Sequence, residues 1–308
     1  MKKLYLDKDW KLLKKNADLY LLILPAAVLT FCFAYIPMYG ILIAFQDYRA
    51  ALGIMDSPWA DPLFRHFTRF FNSHMFVTVV RNTLTLSFYT LFVMIPLPII
   101  LALFINQMRR RAFKRVFQTV TYMPHFISTV VMVGMVLIML SPSMGLIGNI
   151  FGLFGAEAPN LMGSVAAFPH IYVWSEAWQH TGWDSIIYLA ALSAVDPTLY
   201  EAATIDGASR WQRLRKIDLP MLLPTACVLL ILRAGNIMNV GFEKVFLMQN
   251  NLNLPASEII STYVYQIGIV SAQYSYSAAI NLFNTMVNLV LLLTVNFFSR
   301  KMSGNSLW

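Results

Sequence analysis

The sequence predicts an all-α membrane protein with six transmembrane helices. Hydrophobic residues make up 58% of the 308 residues and charged residues only 12%, roughly half the charged fraction of a soluble domain. The chain also contains apolar runs of about 20 residues or more, the length that a helix needs to cross a hydrocarbon core about 30 Å thick. Backbone polar groups in lipid must hydrogen-bond within their own segment, so each run is expected to be helical. The six runs cover residues 20–45, 79–106, 117–140, 168–194, 220–242 and 278–298.

The basic residues are concentrated in alternate loops. Six, five, four and two Lys or Arg residues lie in segments 1–18, 107–116, 195–220 and 299–308. Three, none and one lie in the intervening loops 46–78, 141–167 and 243–277. Because basic residues accumulate on the cytoplasmic side of a membrane, both termini are predicted to be cytoplasmic. The net charge of +8 therefore reflects membrane topology and does not indicate a nucleic-acid partner.

The chain divides into an N-terminal segment, residues 1–18, and a six-helix transmembrane domain, residues 19–308. The N-terminal segment is rich in Lys and Leu. It is expected either to lie along the inner membrane surface as an amphipathic segment or to act as a plain topology-determining tail.

The first two predicted outer loops carry different signals. The loop after the first span contains aromatic residues at helical spacing, which predict a short interfacial helix or a contact with an external partner. These residues are Phe64, Phe67, Phe70 and Phe71. The loop after the third span is rich in Gly and Pro and is expected to be irregular.

Four of the predicted spans carry polar side chains along one face. In the fourth span these lie at offsets of 0, 3, 4, 7 and 8 residues, which places them on one side of a helix. Ionisable groups inside a bilayer are costly and usually face a protein interior or a cavity. The polar positions are Glu176, Gln179, His180, Trp183 and Asp184 in the fourth span, His125 and Thr129 in the third, Arg233, Asn236 and Asn239 in the fifth, and Asn281, Asn284 and Asn288 in the sixth.

These polar faces have two interpretations. A single Asn is typically explained by a hydrogen bond between helices, whereas polar faces on four spans together favour a lined translocation cavity. Counted from the ends of their spans, Glu176 and Arg233 both lie about 10 Å below the outer surface. This depth suggests the hypothesis that they form an ion pair.

The loop at residues 195–220 has the signals of two short helices separated by a break. Asp196 and Pro197 fit a helix start, with Asp as the N-cap and Pro at the first helical position. Asp206 and Gly207 predict the break, because Gly tolerates positive φ and Asp can cap the helix that follows. An apolar stripe in the second helix is expected to pack on the transmembrane bundle; it comprises Trp211, Leu214 and Ile217.

The residue order of this loop, EAATIDGASRWQRLRKIDLPMLLP, resembles the cytoplasmic coupling loop of ATP-binding-cassette importer permeases. The shared pattern is E-A-A, then D-G, then a spaced I-x-L-P. This resemblance implies the type I permease fold, with the loop inserted into a groove of an ATPase subunit. The residues implied to couple the two subunits are Glu201, Ala202, Asp206, Gly207, Leu219 and Pro220.

The chain contains no GxxxxGK[ST] phosphate-binding loop. ATP and its Mg²⁺ are therefore expected to bind to partner subunits. The chain itself is expected to hold no cofactor, no metal ion and no catalytic residue.

Other segments resemble the oligosaccharide branch of this family, and more closely the larger permease of systems for pectin-derived and other complex saccharides. They are YIPMYGILIAFQDY (35–48), SPWADP (57–62), RNTL (81–84) and MPHFIS (123–128). In this family the sugar contacts come from the third, fourth and fifth spans. By resemblance they map here to His125, Thr129, Glu176, Gln179, His180, Trp183, Gly235, Asn236 and Asn239.

The chemistry of these residues suits a carbohydrate, with an aromatic face for a pyranose ring and amides or carboxylates for hydroxyl groups. His125, Glu176 and His180 depart from the disaccharide pattern of the family, which leaves the identity of the sugar open. His125, His180 and Arg233 would favour the carboxylate of a uronic acid.

The resemblance implies the membrane-spanning subunit of a bacterial type I importer for oligosaccharides in the cell membrane. Its expected partners are a second homologous permease, two ATPase subunits, an extracellular solute-binding protein and the lipid bilayer. Three alternatives are an importer of another small solute, a secondary transporter with a proton-carrying carboxylate, and a membrane-embedded enzyme. The last two are disfavoured, because a secondary transporter would not need the coupling loop and the chain lacks a HExxH-type arrangement.

Overall fold

The structure, a computed structural model, describes residues 16–235, 237–238 and 240–303, and these residues confirm the all-α prediction. The N-terminal segment lies outside the described residues except for its last three. The helices are α1 (Ala17–Thr30), α2 (Gly53–Asp56), α3 (Arg65–Phe71), α4 (His74–Met94), α5 (Pro96–Asn106), α6 (Arg111–Tyr122), α7 (Thr129–Met139), α8 (Leu146–Leu153), α9 (Phe168–Ser193), α10 (Pro197–Ile205), α11 (Arg210–Arg213), α12 (Leu219–Ala234), α13 (Phe242–Met248), α14 (Leu254–Ser257), α15 (Ile260–Tyr265) and α16 (Tyr274–Ser303).

Within the described residues, four continuous helical segments are long and apolar enough to cross a membrane, and one bent pair would make a fifth. The four are Ala17–Phe45, His74–Asn106, Arg210–Ala234 and Tyr274–Phe297, and the bent pair is Arg111–Phe126 with Thr129–Met139. The prediction of one continuous helix across the third span is therefore wrong, because its two halves meet at 99°. A 3-10 turn containing Pro124 precedes the bend, and Ser128 caps α7 after it.

The first segment buries nothing in its first half. No residue of α1 is buried, and π-helical and 3-10 stretches continue it to Phe45. Only the last part, Ile36–Phe45, packs closely on the rest of the chain, against α16. Most of this apolar helix is therefore free to contact lipid or another protein.

The helix α9 lies at the centre of the bundle, where it packs against α4, α5, α6 and α12. Its 26 residues span about 39 Å at 1.5 Å per residue. It approaches the third span most closely at Gly182, where an added Cβ would lie 1.9 Å from the Thr121 carbonyl oxygen. The absence of a side chain at this position permits that contact.

Two predicted outer loops and one predicted span differ from the expectations. In α3, Phe70 is fully buried against the first turns of α4 and α16, so this aromatic segment is not purely interfacial. Helix α8 lies in the loop that was expected to be irregular. The fifth span, predicted to reach residue 242, ends as a helix at Ala234, and the separate helix α13 follows.

Candidate functional site

Five side chains form a continuous chain of contacts along the polar face of α9. Glu176 Oε2 accepts a hydrogen bond from Lys244 Nζ at 2.8 Å, and Glu176 Oε1 lies 3.5 Å from His180 Nε2. His180 Nδ1 lies 2.9 Å from His125 Nδ1, so one imidazole donates and the other accepts. The ring of His125 stacks on Trp183 with a centroid separation of 4.5 Å. The structure thus brings together four residues that were predicted from two different spans, and adds Lys244 to them.

The side chain of Gln179 holds the bend in the third span. It is 3% exposed, and its Nε2 donates to the backbone oxygen of Ile127 at 2.9 Å. The bend interrupts the regular helical hydrogen bonds there, and an unpaired carbonyl in a membrane interior would be costly. Thr129 begins α7 directly after the bend and is half-buried. Gln179 therefore has a structural partner, and the sugar contact assigned to it stays a prediction.

The hypothesis of a Glu176–Arg233 ion pair is wrong. Arg233 pairs with Asp184, and Glu176 pairs with Lys244. The predicted depth of Arg233 in the membrane assumes a fifth span that is helical to residue 242, but α12 ends at Ala234. Arg233 therefore lies beside Asp184, about two helical turns after Glu176 on α9.

A cavity of about 400 Å³ lies between α4, α9 and α12. Its wall includes Ser87, Thr90, Tyr172, Glu176 and Arg233. The Ser87 hydroxyl donates to the backbone oxygen of Ile237, whereas the buried Thr90 Oγ1 has no hydrogen-bond partner in the described structure. A pocket with hydroxyls, one carboxylate and one guanidinium can bind a ligand with many hydroxyl groups.

Lys244 is the functional-site candidate that the sequence analysis missed. It was counted as the single basic residue of an outer loop, yet it is 4% exposed. Its ammonium group contacts Glu176, donates to the Tyr172 backbone oxygen at 3.2 Å and lies 4.9 Å from the centroid of the Tyr172 ring. Its position two residues after the predicted end of a span, as the single basic residue between positions 243 and 277, was the available signal.

One predicted sugar contact, Gly235, faces a different helix. Gly235 ends α12, and a Cβ added there would lie 3.2 Å from Leu292 Cδ1 on α16. Its nearest side-chain neighbour therefore belongs to the sixth predicted span and not to α9. Asn236 and Asn239 lie outside the described residues.

The loop at residues 195–220 folds as a helix, a glycine turn and a second helix. Asp196 caps α10 by accepting from the Thr198 backbone N–H at 2.9 Å. This bond, together with one from the Thr198 side chain, lowers the pKa of the Asp196 carboxyl. Gly207 has φ +70°, which confirms the predicted break. The N-cap at Asp196, the helix α10 that follows it and the turn at Gly207 all follow directly from local sequence signals.

The second helix of this loop begins differently from the prediction. Ser209, rather than Asp206, is its N-cap, and Ser209 forms a capping box with Gln212. From Arg210 the helix runs through α11, a π-helical turn (Leu214–Asp218) and α12 to Ala234 without interruption. The second helix of the loop is therefore continuous with the fifth span.

The residues expected to contact an ATPase subunit are accessible on this loop. Each of them is exposed: Glu201, Ala202, Asp206, Gly207, Leu219 and Pro220. Ile205 and Trp211 are 87% and 68% exposed, so the predicted packing of Trp211 on the bundle is wrong, whereas Leu214 packs on an apolar cluster of α5, α9 and α12. Exposed apolar side chains of this size indicate a contact surface for a partner.

The sequence matches a known protein family and characterised relatives. Residues 94–304 match the family described as binding-protein-dependent transport system inner membrane component. The chain is 41% identical over 290 residues to the polygalacturonan/rhamnogalacturonan transport system permease protein YteP of Bacillus subtilis (strain 168), covering 94% of this chain and 90% of that protein. It is 39% identical over 296 residues to protein LplB of the same strain, covering 96% and 92%.

The fold also matches solved structures. One is a chain of a bacterial ABC transporter involved in the import of the acidic polysaccharide alginate. That chain has a TM-score of 0.89 and 38% identity, with 96% of this chain and 99% of that chain covered. A second is the bacterial alginate ABC transporter in complex with an alginate pentasaccharide-bound periplasmic protein. Its chain has a TM-score of 0.88 and 38% identity, with 97% and 99% covered.

Proposed function

The chain belongs to the family of binding-protein-dependent transport system inner membrane components, and we propose that it is one of two permeases in an ATP-driven importer of acidic oligosaccharides. It is a multi-pass permease subunit of the inner membrane, and such subunits translocate a substrate and are not themselves enzymes. The observation that carries the proposed substrate is the similarity, over nearly the whole chain, to permeases of polygalacturonan/rhamnogalacturonan and alginate systems.

In the proposed complex the chain crosses the membrane six times within residues 19–308, with both termini in the cytoplasm. Helix α9 serves as the fourth span and the bent pair α6–α7 as the third. The distribution of basic residues supports this topology. The polar face of α9 lowers its mean hydropathy, which is consistent with a span surrounded by other helices.

The proposed partners are a second homologous permease, two ATPase subunits that bind ATP and Mg²⁺, and a solute-binding protein. A solute-binding partner is supported by the similar alginate transporter, which was solved with its periplasmic protein. The unburied apolar helix α1 offers a surface for the second permease. The exposed residues of α10 offer one for an ATPase subunit.

The proposed coupling follows from the continuity of one helix. When ATP binding brings the two ATPase subunits together, they displace α10 and the glycine turn. The segment Arg210–Ala234 has 25 residues and spans about 37 Å, with the loop at one end and Arg233 near the other. A displacement of the cytoplasmic end of this helix therefore also moves Arg233 in the wall of the cavity.

The proposed site selects a uronic-acid carboxylate through Arg233. This guanidinium lines the cavity, and its partner Asp184 is partly accessible. A substrate carboxylate can replace the Asp184 carboxylate on Arg233 without leaving the guanidinium unpaired. Both carboxylates can accept the same pair of hydrogen bonds from the guanidinium. Neutral sugars cannot make this exchange, since a hydroxyl group carries no charge.

The experiment is uptake by proteoliposomes that contain this chain with its partner permease, ATPase subunits and solute-binding protein. Labelled trigalacturonate is expected to enter in an ATP-dependent way, whereas maltotriose is not. Arg233→Gln should reduce trigalacturonate uptake by about tenfold, since a charge-assisted hydrogen bond contributes roughly 1.5–3 kcal/mol. Uptake driven by a proton gradient without ATPase subunits, or preference for the neutral sugar, would contradict the proposal.

A further inference from the structure

One carboxylate of the loop at residues 195–220 is withdrawn from solvent. All residues of this loop lie in the described structure, and among its charged side chains only Asp218 is buried, with an exposure of 0%. It ends the π-helical turn and immediately precedes α12. A buried carboxylate is costly unless it is hydrogen-bonded, so its partners indicate why it lies there.

Two separate structural elements donate hydrogen bonds to Asp218. The Tyr200 hydroxyl donates to Oδ1 at 2.5 Å, and Gln107 Nε2 donates to Oδ2 at 3.4 Å. Tyr200 lies in the middle of α10, directly before Glu201, and Gln107 is the C-cap residue directly after α5. Asp218 therefore joins α10, the start of α12 and the end of the second predicted span.

Tyr200 attaches α10 to the rest of the protein. Tyr200 and Ala203 are half-buried, and every other residue of α10 is exposed. Burial, and next the hydrogen bond to Asp218, raise the pKa of the Tyr200 hydroxyl, so this group remains a donor throughout the physiological range. Backbone hydrogen bonds also close the glycine turn, such as the one from the Ala208 N–H to the Ala203 oxygen at 2.8 Å. The side-chain contact across the turn, from Arg213 Nη1 to Thr204 Oγ1 at 3.2 Å, is exposed, and solvent competes with it.

We propose that Asp218 is a positioning residue for energy coupling: by holding Tyr200 and Gln107 together, it makes α10 move as one body with the fifth and second spans. This inference rests on the proposed function, because it assumes that an ATPase subunit displaces α10. Without this contact, α10 can tilt about the turn at Gly207. Part of the displacement is then lost before it reaches α12.

The first test measures uptake per ATP hydrolysed in proteoliposomes that contain the complete importer. Tyr200→Phe and Asp218→Asn should each lower trigalacturonate uptake per ATP by at least about fivefold, the lower end of typical coupling between sites. ATP hydrolysis should continue, and the double variant should be no worse than the more affected single variant. Gln107→Leu should have a smaller effect, because its contact is longer. Asp18→Asn, which neutralises an exposed carboxylate near the other end of the chain, is the matched control.

A purely structural role would give a different result. Complex yield, melting temperature and uptake would then fall together while uptake per ATP stayed at the wild-type value, and this outcome would overturn the inference. A wild-type importer that takes up no trigalacturonate would instead count against the proposed substrate.

A second measurement does not depend on the sugar. Spin labels are placed at Ile205→Cys and Met221→Cys in the assembled complex, on a background in which Cys32 and Cys227 are replaced by Ser. Double electron–electron resonance should give a narrow distance distribution with Asp218 present and a broader one in Tyr200→Phe and Asp218→Asn. Equally narrow distributions in all three proteins would overturn the inference.

Discussion

The polar face of α9 and the loop at residues 195–220 use charged side chains in opposite ways. On α9, Glu176 and Asp184 are each paired with a basic residue from another element. In the loop, the charged groups are exposed or half-buried, with Asp218 as the exception. A charge in a bilayer costs about 2.5–3.5 kcal/mol, whereas water solvates a charge on the loop.

The two regions are therefore suited to different roles. The charges along α9 must exchange partners if a substrate is to bind, so their pairing sets the stability and the selectivity of the site. The loop leaves its surface free for another protein and needs a stiff attachment instead. Four substitutions test this contrast, and they are given in order of decreasing effect.

The largest effect is expected when the pairing on α9 is broken. Lys244→Met removes the partner of Glu176 Oε2, and breaking a buried ion pair lowers the free energy of unfolding by about 3–5 kcal/mol. We expect the lower end, because the Glu176 side chain is 26% exposed. Thermal unfolding of the purified complex measures the loss. The double variant Lys244→Met/Glu176→Gln should recover most of it, and a double variant as unstable as the single one would show that pairing is not the cause.

The second effect concerns the backbone contact that positions α9. In Gly182→Ala the new Cβ would lie 1.9 Å from the Thr121 carbonyl oxygen, so the third and fourth spans must separate. Overpacking of this kind costs about 1–3 kcal/mol, which should appear as a lower melting temperature. Gly134→Ala in α7 is the control, because nothing lies within 4 Å of its added Cβ. Equal melting temperatures for the two variants would contradict the close approach.

The third change tests the loop, where a backbone effect should alter coupling more than stability. Gly207 has φ +70° and nothing within 4 Å of an added Cβ, so Gly207→Val meets no clash but pays about 1–2 kcal/mol of backbone strain. We expect an assembled complex with uptake per ATP reduced by about tenfold. Gly207→Asn should retain more activity, because Asn tolerates this conformation. Wild-type uptake in Gly207→Val would exclude the proposed role of the turn.

The smallest effect is expected at the wall of the cavity. Thr90→Val removes the unpaired Thr90 hydroxyl without changing the shape of the side chain, so the melting temperature should not fall. If that hydroxyl binds the sugar, the concentration for half-maximal uptake should rise by about fivefold, equivalent to roughly 1 kcal/mol. Thr85→Val, on an exposed face of the same helix, should change neither quantity. An unchanged uptake curve for Thr90→Val would remove this residue from the site.

Local signals in the sequence were sufficient for much of the fold. The N-cap at Asp196, the positive φ of Gly207 and the long apolar helices depend on residues within one or two turns of each other. The bend at Ile127 and Ser128 was missed, because residues 117–140 were interpreted as one continuous span. The partner that stabilises the bend, Gln179, lies 52 residues further along the chain.

The helical membrane class, the glycine turn of the loop and the polar residues along α9 each follow from composition or short-range spacing, so they could be predicted from the amino acids alone. The pairing of Lys244 with Glu176, of Arg233 with Asp184 and of Tyr200 with Asp218 became visible in the folded chain. A charge in a low-dielectric interior takes whichever partner the packing of distant helices places within about 3 Å, and that packing is not encoded in the spacing along any one helix.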